Sequence, residues 1–433
     1  MRKIAEQIFL AGVESVLPDA LIRSQLNMEG NRPVIAGHSV PLPGSIYLLA
    51  AGKAASLMAQ AAEEILGNRI TEGHVVTKYG HGLPPGRLFL NEAGHPLPDA
   101  AGVKATRQML AIARQAQADD LVLCLLSGGA SSLMADLPEG CSLEEVIRGN
   151  DLLVRCGADI SEINTVRKHL SAVKGGQLAA AAAPATVISL ILSDVVGDDP
   201  GVIASGPTAP DNSTFADALA VIRKYELDDR FPVPLLSHLH RGAAGMIPET
   251  LKPGDPLFRH VHNRIIGNNR LALEGAARKA AKLGFEARII TDTLQGDYID
   301  VADFILRTIG THRSPDHLRP LCLLFGGEPT LKVSGNGLGG RNQHLALHLA
   351  TQIGSDSGIT LLCAGTDGTD GPTDAAGAVV DGHTLSEARE RHIDAADHLS
   401  RFDSWRFFRQ AGGHILTGST RTNVMDMVVV LIT

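Results

Sequence analysis

Six runs of uncharged, mostly apolar residues punctuate the chain: Ile46–Ala50, Leu121–Leu126, Val187–Leu192, Leu321–Phe325, Thr360–Ala364 and Met427–Ile432. A strand with one wet face alternates polar and apolar positions. Runs without alternation suit strands buried on both faces, as in parallel sheets. Between the runs the apolar spacing lengthens to three or four, which predicts helices. Met1–Leu17 is one, with Ile4, Ile8, Phe9 and Val13 on a face, and others cover 54–66, 99–115, 143–155, 160–170, 268–283 and a stretch ending near Ile309. Weaker strands fall at Val75–Thr77, Arg87–Leu90 and Ala287–Thr291. Strand and helix alternate, so the class is α/β, with a doubly wound, mostly parallel sheet in the first half. Pro41 and Pro43 close a loop before the first run. From Leu227 to Val261, Pro232, Pro234, Pro248, Pro253 and Pro256 interrupt every pattern and read as a connector. At 433 residues the chain exceeds one ordinary domain. The expected division is a Rossmann-like α/β domain over 1–227, a connector over 228–262 and a second α/β domain over 263–433.

Residues able to carry chemistry gather where the strands end, which is where open α/β sheets hold ligands. Ala51-Gly52-Lys53-Ala54 follows the first run. A lysine in the first turn of a helix opposes its dipole, and an anionic ligand would offset that; a solvated lysine is the plain alternative. The phosphate-loop pattern is missing, since Tyr47 stands where glycine is required and Ala54 where serine or threonine is. Lys78 and His95 lie in the next two turns, and Asp99 is placed to cap the helix that follows. Ser127-Gly128-Gly129-Ala130-Ser131-Ser132 comes next. Its glycines and hydroxyls suit an anion cradle or a serine-rich loop, and without G-x-S-x-G a nucleophilic serine has no support. Asp194 lies just past the Val187–Leu192 strand, while Asp198 and Asp199 read as turn residues.

The stretch Phe325–Leu347 is the most informative. Gly326-Gly327 breaks a strand and delivers Glu328, a short piece Thr330–Val333 follows, and Gly335, Gly337, Gly339 and Gly340 lead into Arg341 at a helix start. A cation there costs a few tenths to about 1 kcal/mol unless an anion sits with it. Replacing Arg341 is therefore expected to leave stability intact and to act on a ligand. Gly335, Gly337 and Gly340 spell G-x-G-x-x-G, but the acidic partner of the dinucleotide fingerprint would fall near Thr360, at the start of a strand, so the match is poor. Asp367, Asp370 and Asp374, among glycines and threonines, suggest a magnesium–nucleotide site, and Thr369 breaks the calcium-loop pattern. His344 and His348 lack H-E-x-x-H and read as an exposed pair. The pairs His238/His240 and His260/His262 read as solvated loop residues.

Composition narrows the class. Hydrophobic content of 44% and charged content of 20% are those of a water-soluble protein, and a net charge of −8 argues against nucleic acid. No run reaches membrane-spanning length, and the start lacks a signal peptide's pattern. Five cysteines without C-x-x-C suggest neither disulfides nor zinc, and Cys124, Cys322 and Cys363 sit in apolar runs, so a reducing cytoplasm is expected.

Taken in order, the pieces AGKA (51–54), VTKYGH (76–81), HPLPD (95–99), LLSGGASSLM (125–134), SDVVGDDP (193–200), IASGPT (203–208), GGEPT (326–330), GGRNQ (339–343) and AGTDGTDGPTDAAGA (364–378) resemble the glycerate 2-kinase family of the MOFRL type. The resemblance implies two α/β domains with the active site in a cleft between them, and phosphoryl transfer from ATP to the 2-hydroxyl of D-glycerate with magnesium. It implies Lys53, Asp194 and Arg341 at the catalytic centre. Around that core, Ser127, Gly128, Gly129, Ser131, Lys78 and His95 are expected to hold acceptor and phosphate, and Gly327, Gly337, Gly339, Gly340, Thr366 and Asp370 the nucleotide. Glu328 and Asp367 are expected to hold Mg2+. Leu338, His344 and TGSTRTN at 417–423 depart from the usual lysine, glutamate and TGPTGTN. Two other functions stay open, a nicotinamide-dependent hydroxypyruvate reductase and a non-catalytic sugar-acid binding protein; so does a homodimer.

Overall fold

The computed structural model describes every residue except 41–43, 85 and 314–318, so the loop assigned to Pro41 and Pro43 lies outside the described residues. The chain divides into two units, Pro18–Ile266 and Met1–Leu17 with Gly267–Thr433. In the first unit a six-stranded sheet is built from β1 (Ile46–Ala51), β2 (Ile70–Lys78), β3 (Phe89–Ala93), β4 (Leu121–Leu126), β5 (Thr186–Leu192) and β6 (Val261–Gly267), in the order β3-β2-β1-β4-β5-β6. The pairings β3/β2, β2/β1, β1/β4 and β4/β5 are all parallel. Every residue of β1 and β4 is buried, which is why their sequences show no alternation.

Ala51 is level with Val76 on one side and Leu126 on the other, and Leu126 with Ile191. The turns after these strands therefore leave the sheet at one height. Strand order reverses between β1 and β4, the position where doubly wound sheets open a crevice. The Asp99 carboxylate accepts from the Gly102 N–H at 2.9 Å and caps the Ala100–Ala113 helix as expected. The proline-rich stretch is not an extended connector. It contains the Val233–Ala243 helix, which carries His238 and His240, and Pro234 sits in its first turn, where a missing N–H costs nothing. A small antiparallel sheet of Leu26–Glu29, Arg32–Ile35 and His38–Ser39 had no clear sequence signal.

The second unit holds a mixed sheet of β7 (Glu286–Asp297), β8 (Leu321–Thr330), β9 (Ile359–Gly365), β10 (Gly377–Asp381), β11 (His414–Ile415) and β12 (Asp426–Ile432), in the order β7-β8-β12-β9-β10-β11. Only β7/β8 is parallel. β8 does not break at Gly326-Gly327: it runs on to Thr330, and the residues after it form a loop. Gly327 has φ +145°, and a Cβ there would fall 2.1 Å from the Leu294 carbonyl oxygen. Glycine thus keeps β8 paired to β7 instead of ending it. His344 is buried, stacked 4.8 Å from the Phe402 ring and edge-on to Tyr298, and burial pulls its pKa down to about 4. It is not half of an exposed pair. Cys124, Cys322 and Cys363 are buried thiols, and burial pushes the first two up to about 12.

The Arg2–Glu14 helix, expected in the first domain, packs in the second unit. Cβ atoms at Gly12 and Gly275 would meet the Ala272 carbonyl oxygen at 2.9 Å and the Ser15 hydroxyl at 2.4 Å, so bare glycine backbone lets this helix approach the Asn269–Lys282 helix. The Arg2 guanidinium donates to Asp381 at 2.7 and 2.6 Å and to Glu387 at 3.1 Å. Ile8 and Phe9 are fully buried. Phe9→Ala is expected to cost about 3–5 kcal/mol by opening a core cavity. Chemical denaturation should show the transition of the second unit moving to lower denaturant, and an unmoved transition would detach this helix from that core.

Candidate active site

Two turns meet at the switch point of the first sheet. The Lys53 N–H donates to the Gly128 carbonyl at 2.9 Å, the Ala54 N–H to the Ser127 hydroxyl at 3.1 Å and the Ser127 N–H to the Ala51 carbonyl at 3.0 Å. Gly52, at φ +129°, makes this possible, because a Cβ there would fall 2.1 Å from the Ser127 Oγ. Lys53 is not in the first helical turn; it precedes the Ala55–Leu66 helix, and its backbone belongs to the crossing. Its side chain rises beside the next turn, with Cγ 3.4 Å from where a Cβ of Gly129 would stand. The His95 ring is 2.9 Å from the same point, and the Asp194 carboxylate comes within 1.9 Å of a Cβ position at Gly128. Lys53, His95, Asp194, Gly128 and Gly129 thus share one small volume.

Electrostatics fix the state of His95. Burial, then the neighbouring Lys53, Lys78 and His81, pull its pKa to about 4, so the imidazole is neutral at pH 7. Lys53 and Lys78 are then the cations of the turn set, and Asp194 its carboxylate. The serines are more occupied than the sequence suggested. Ser127 is buried and accepts from Ala54, and the Ser131 hydroxyl pairs at 2.8 Å with that of Ser205, which donates to Asn164 at 2.9 Å. The N–H groups of Gly128 and Gly129 lie in this turn beside Lys53 and Asp194. They, with Lys53, are the groups suited to an anion.

In the second unit Arg341 opens the Arg341–Ile353 helix, and it already has anions. Its Nε and Nη2 donate to Asp426 at 2.6 and 3.2 Å, and its Nη1 to Glu328 at 2.6 Å. Burial works against its charge, but Asp426 and Glu328 outweigh that and raise its pKa above the ordinary value. Asp426 is 3% exposed; burial raises its pKa while Arg341 opposes the rise. The helix start is capped from within as well. Asp370, also 3% exposed, accepts from the N–H groups of Asn342 and Gln343 at 3.0 and 2.8 Å, and burial pushes it up to about 6. The anion inferred at this helix start is therefore a side chain of the protein.

Most residues expected to hold the nucleotide have other partners. Cβ atoms at Gly337, Gly339 and Gly340 would meet the Arg401 carbonyl oxygen, the Ser404 hydroxyl and the Asp370 carboxylate at 2.5, 2.2 and 2.4 Å. Gly337 and Gly339 let the loop lie against the start of the Ser404–Ala411 helix, and Gly340 lets it meet Asp370. Thr366 is buried, its hydroxyl donating to the Met425 carbonyl at 2.6 Å. Asp367 is half-buried and accepts from the N–H and hydroxyl of Thr369 at 3.0 and 3.1 Å. Among the described residues no three His, Cys, Asp or Glu side chains gather closely enough to hold a metal. Asp426 was missed because nothing local marks it. It reads as the polar edge of the final strand, and only the fold brings it to Arg341, 85 positions away.

A family model described as a domain of unknown function, DUF4147, matches residues 4–240, and one described as the MOFRL family matches residues 321–426. The chain is similar to a glycerate 2-kinase of Pyrococcus horikoshii, 40% identical over 436 residues covering 100% of this chain and 98% of that protein. It is similar to a D-glycerate 2-kinase of Thermotoga maritima, 42% identical over 439 residues with coverage of 100% and 98%. The crystal structure of glycerate kinase from Thermotoga maritima aligns with a TM-score of 0.88 at 40% sequence identity, over 100% of this chain and 99% of that one.

Arg341 is bonded to a buried carboxylate, so the expectation that its replacement spares stability is revised. Removing one partner of a buried pair costs about 3–5 kcal/mol. With the Arg341 side chain 33% exposed, solvent will screen part of that, and about 2–3 kcal/mol is expected for Arg341→Ala. Urea denaturation of Arg341→Ala, Asp426→Asn and the double variant checks this: the double variant should lose less than the sum of the singles.

Proposed function

The chain belongs to the glycerate 2-kinase family of the MOFRL type, and we propose from that premise that it transfers the γ-phosphoryl of ATP to the 2-hydroxyl of D-glycerate. The observation that carries the reading is the juxtaposition of Asp194, Lys53 and the Gly128-Gly129 turn at the switch point of the first sheet. In the reaction the acceptor oxygen bonds to the γ-phosphorus as the bond to the β,γ-bridging oxygen breaks, and ADP leaves. The hydroxyl proton passes to the Asp194 carboxylate, the base beside Gly128. Lys53 and the glycine N–H groups balance charge on the incoming phosphoryl oxygens, which phosphoryl transfer needs more than covalent help. His95, neutral at pH 7, supplies a hydrogen bond without adding charge.

The second unit carries Glu328, Arg341 and Asp367. Glu328, Asp426 and Asp367 are three carboxylates against one guanidinium, so this end of the sheet carries net negative charge. That favours a cation more than a bare phosphate. Mg2+ takes oxygen ligands and binds through one or two carboxylates plus substrate phosphates, so a donor set of Glu328 and Asp367 fits it without a preformed cage. When bound it would neutralise charge on the polyphosphate. Arg341 holds Glu328 in place, and its remaining N–H groups suit a phosphate oxygen. Gly327, the glycines 337–340, Thr366 and Asp370 shape the surrounding loops.

The reductase reading rested on G-x-G-x-x-G. Gly335, Gly337 and Gly340 lie within 2.3–2.5 Å, counted from an added Cβ, of Arg401 and Asp370, so the glycine faces that a pyrophosphate would approach are already covered. Purified protein is expected to release ADP with D-glycerate and ATP, and to leave NADH unconsumed with hydroxypyruvate. NADH consumption without ADP release would reverse the assignment, and neither would leave a binding protein. A chelator should abolish ADP release and added Mg2+ restore it. Asp194→Asn is expected to lower turnover by about 10²–10⁴ while the protein stays folded. Gly128→Ala, which drives a methyl into the Asp194 carboxylate, should lose activity likewise; near-normal rates in both variants would remove Asp194 from the chemistry.

A further inference from the structure

A cavity of about 440 Å³ lies within the first unit and reaches the turns just described, since Gly129, Ser131 and His95 form part of its wall. Its wall also carries Arg167 and Lys174, with Leu153, Phe231 and Leu235 as apolar lining. Arg167 stands on the Ile160–His169 helix, one turn after Asn164. Asn164 accepts from the Ser205 hydroxyl at 2.9 Å, and Ser205 pairs with Ser131 at 2.8 Å, so this helix is tied directly to the turn that follows β4.

The charges on this wall do not cancel. Lys174 pairs with Asp136 at 3.5 Å and donates to the Met134 carbonyl at 3.0 Å. Asp136 is further engaged by the Ser171 hydroxyl at 2.8 Å and the Ala172 N–H. Asp151 is taken by Arg155 at 2.8 Å. Arg167 donates through Nε to the Asn150 amide oxygen at 2.8 Å, and among the described residues it has no other hydrogen-bond partner and no carboxylate. A guanidinium has five N–H donors in a planar fork, and here the Nη groups, which match a carboxylate's two oxygens, are the ones left over. Burial lowers the pKa of Arg167 with no anion to offset it. Arginine nevertheless stays charged in proteins, so the site holds an unbalanced cation facing a cavity.

We propose that Arg167 is the anchor for the acceptor's carboxylate, holding a 2-hydroxy acid by its acid end while its hydroxyl lies toward Asp194. The inference rests on the kinase reading and adds to it the residue that selects an acid over a neutral polyol. Arginine suits this role better than lysine, because two parallel bonds fix the direction of the acceptor as well as its charge. Lys174, already committed to Asp136, adds positive potential without a second contact.

The test is steady-state kinetics of wild type, Arg167→Gln and Arg167→Lys with D-glycerate, with its uncharged amide D-glyceramide, and with ATP varied. Arg167→Gln is expected to raise KM for D-glycerate on the order of 10- to 100-fold, the usual worth of hydrogen bonds to a charged group. KM for ATP should stay within about twofold, and the wild-type preference for the acid over the amide should vanish. Arg167→Lys should recover part of that preference. An unchanged KM for D-glycerate would overturn the proposal. So would a joint rise in both KM values with an earlier unfolding transition, which would mark Arg167 as a strut between helices. If wild type releases no ADP, the kinase reading fails by itself. Calorimetric binding of D-glycerate and D-glyceramide to wild type and Arg167→Gln then still decides: an acid preference lost in the variant supports the anchor, and no preference in wild type overturns it.

Discussion

The first unit's site depends on how closely two strand ends can approach. β1 and β4 are neighbours with parallel direction, and their turns would ordinarily diverge to make room for side chains. Gly52 removes that need. With no Cβ and a left-handed backbone, it lets the Ser127 carbonyl and hydroxyl sit where a methyl would be. The two turns then exchange backbone hydrogen bonds, and those bonds set the positions of Lys53 and Gly128. Gly128 in turn sets where Asp194 can lie. One missing methyl group thus propagates, through hydrogen bonds and close packing, to three residues from three strand ends. The positions are held by the sheet, which is buried and stiff, and not by the turns' own sequences.

In the second unit the governing constraint is charge. Arg341 and Asp426 sit at the rim of a sheet core, where neither would be tolerated alone. Asp370 plays a parallel part for the first N–H groups of the Arg341–Ile353 helix. The protein thus provides its own anions at the helix start where the sequence left room for a phosphate. What remains on offer is the outer edge of that network, Glu328 and the unspent donors of Arg341.

The sequence carried the fold well because β1, β4, β5, β9 and β12 are buried on both faces, and unbroken apolar runs are hard to read otherwise. The Leu143–Arg155 helix was legible to the residue from its apolar spacing, and the structure closes its start with a capping box of Ser142 and Glu145. Legibility failed where glycine or proline had a second meaning. Gly327 continues a strand, Pro234 sits inside a helix, and the glycines from 335 to 340 serve close packing; a break, a hinge and a ligand loop look the same in one dimension. At the candidate site, Lys53, Asp194 and the Gly128-Gly129 turn stood out because they follow strand ends and lie in motifs that resemble the family's. Asp426 and Arg167 did not, since each gains its meaning from a partner or a cavity assembled by residues far away in the chain.

The Arg2–Glu14 helix has a consequence for how the protein comes into being. Its residues are made long before packing partners that include β12; the Thr422 hydroxyl donates to the Val16 carbonyl across 406 positions. Pro18–Ile266, by contrast, finds its sheet partners within one continuous span. Topologically it is an insertion within the other unit. An amphipathic helix with Ile8 and Phe9 on its apolar face must therefore wait, uncovered, through the synthesis of an entire domain. Contacts this distant in sequence carry the largest loop-closure cost and form late. For this chain the slow and aggregation-exposed step of biogenesis is the capture of the Arg2–Glu14 helix by β12.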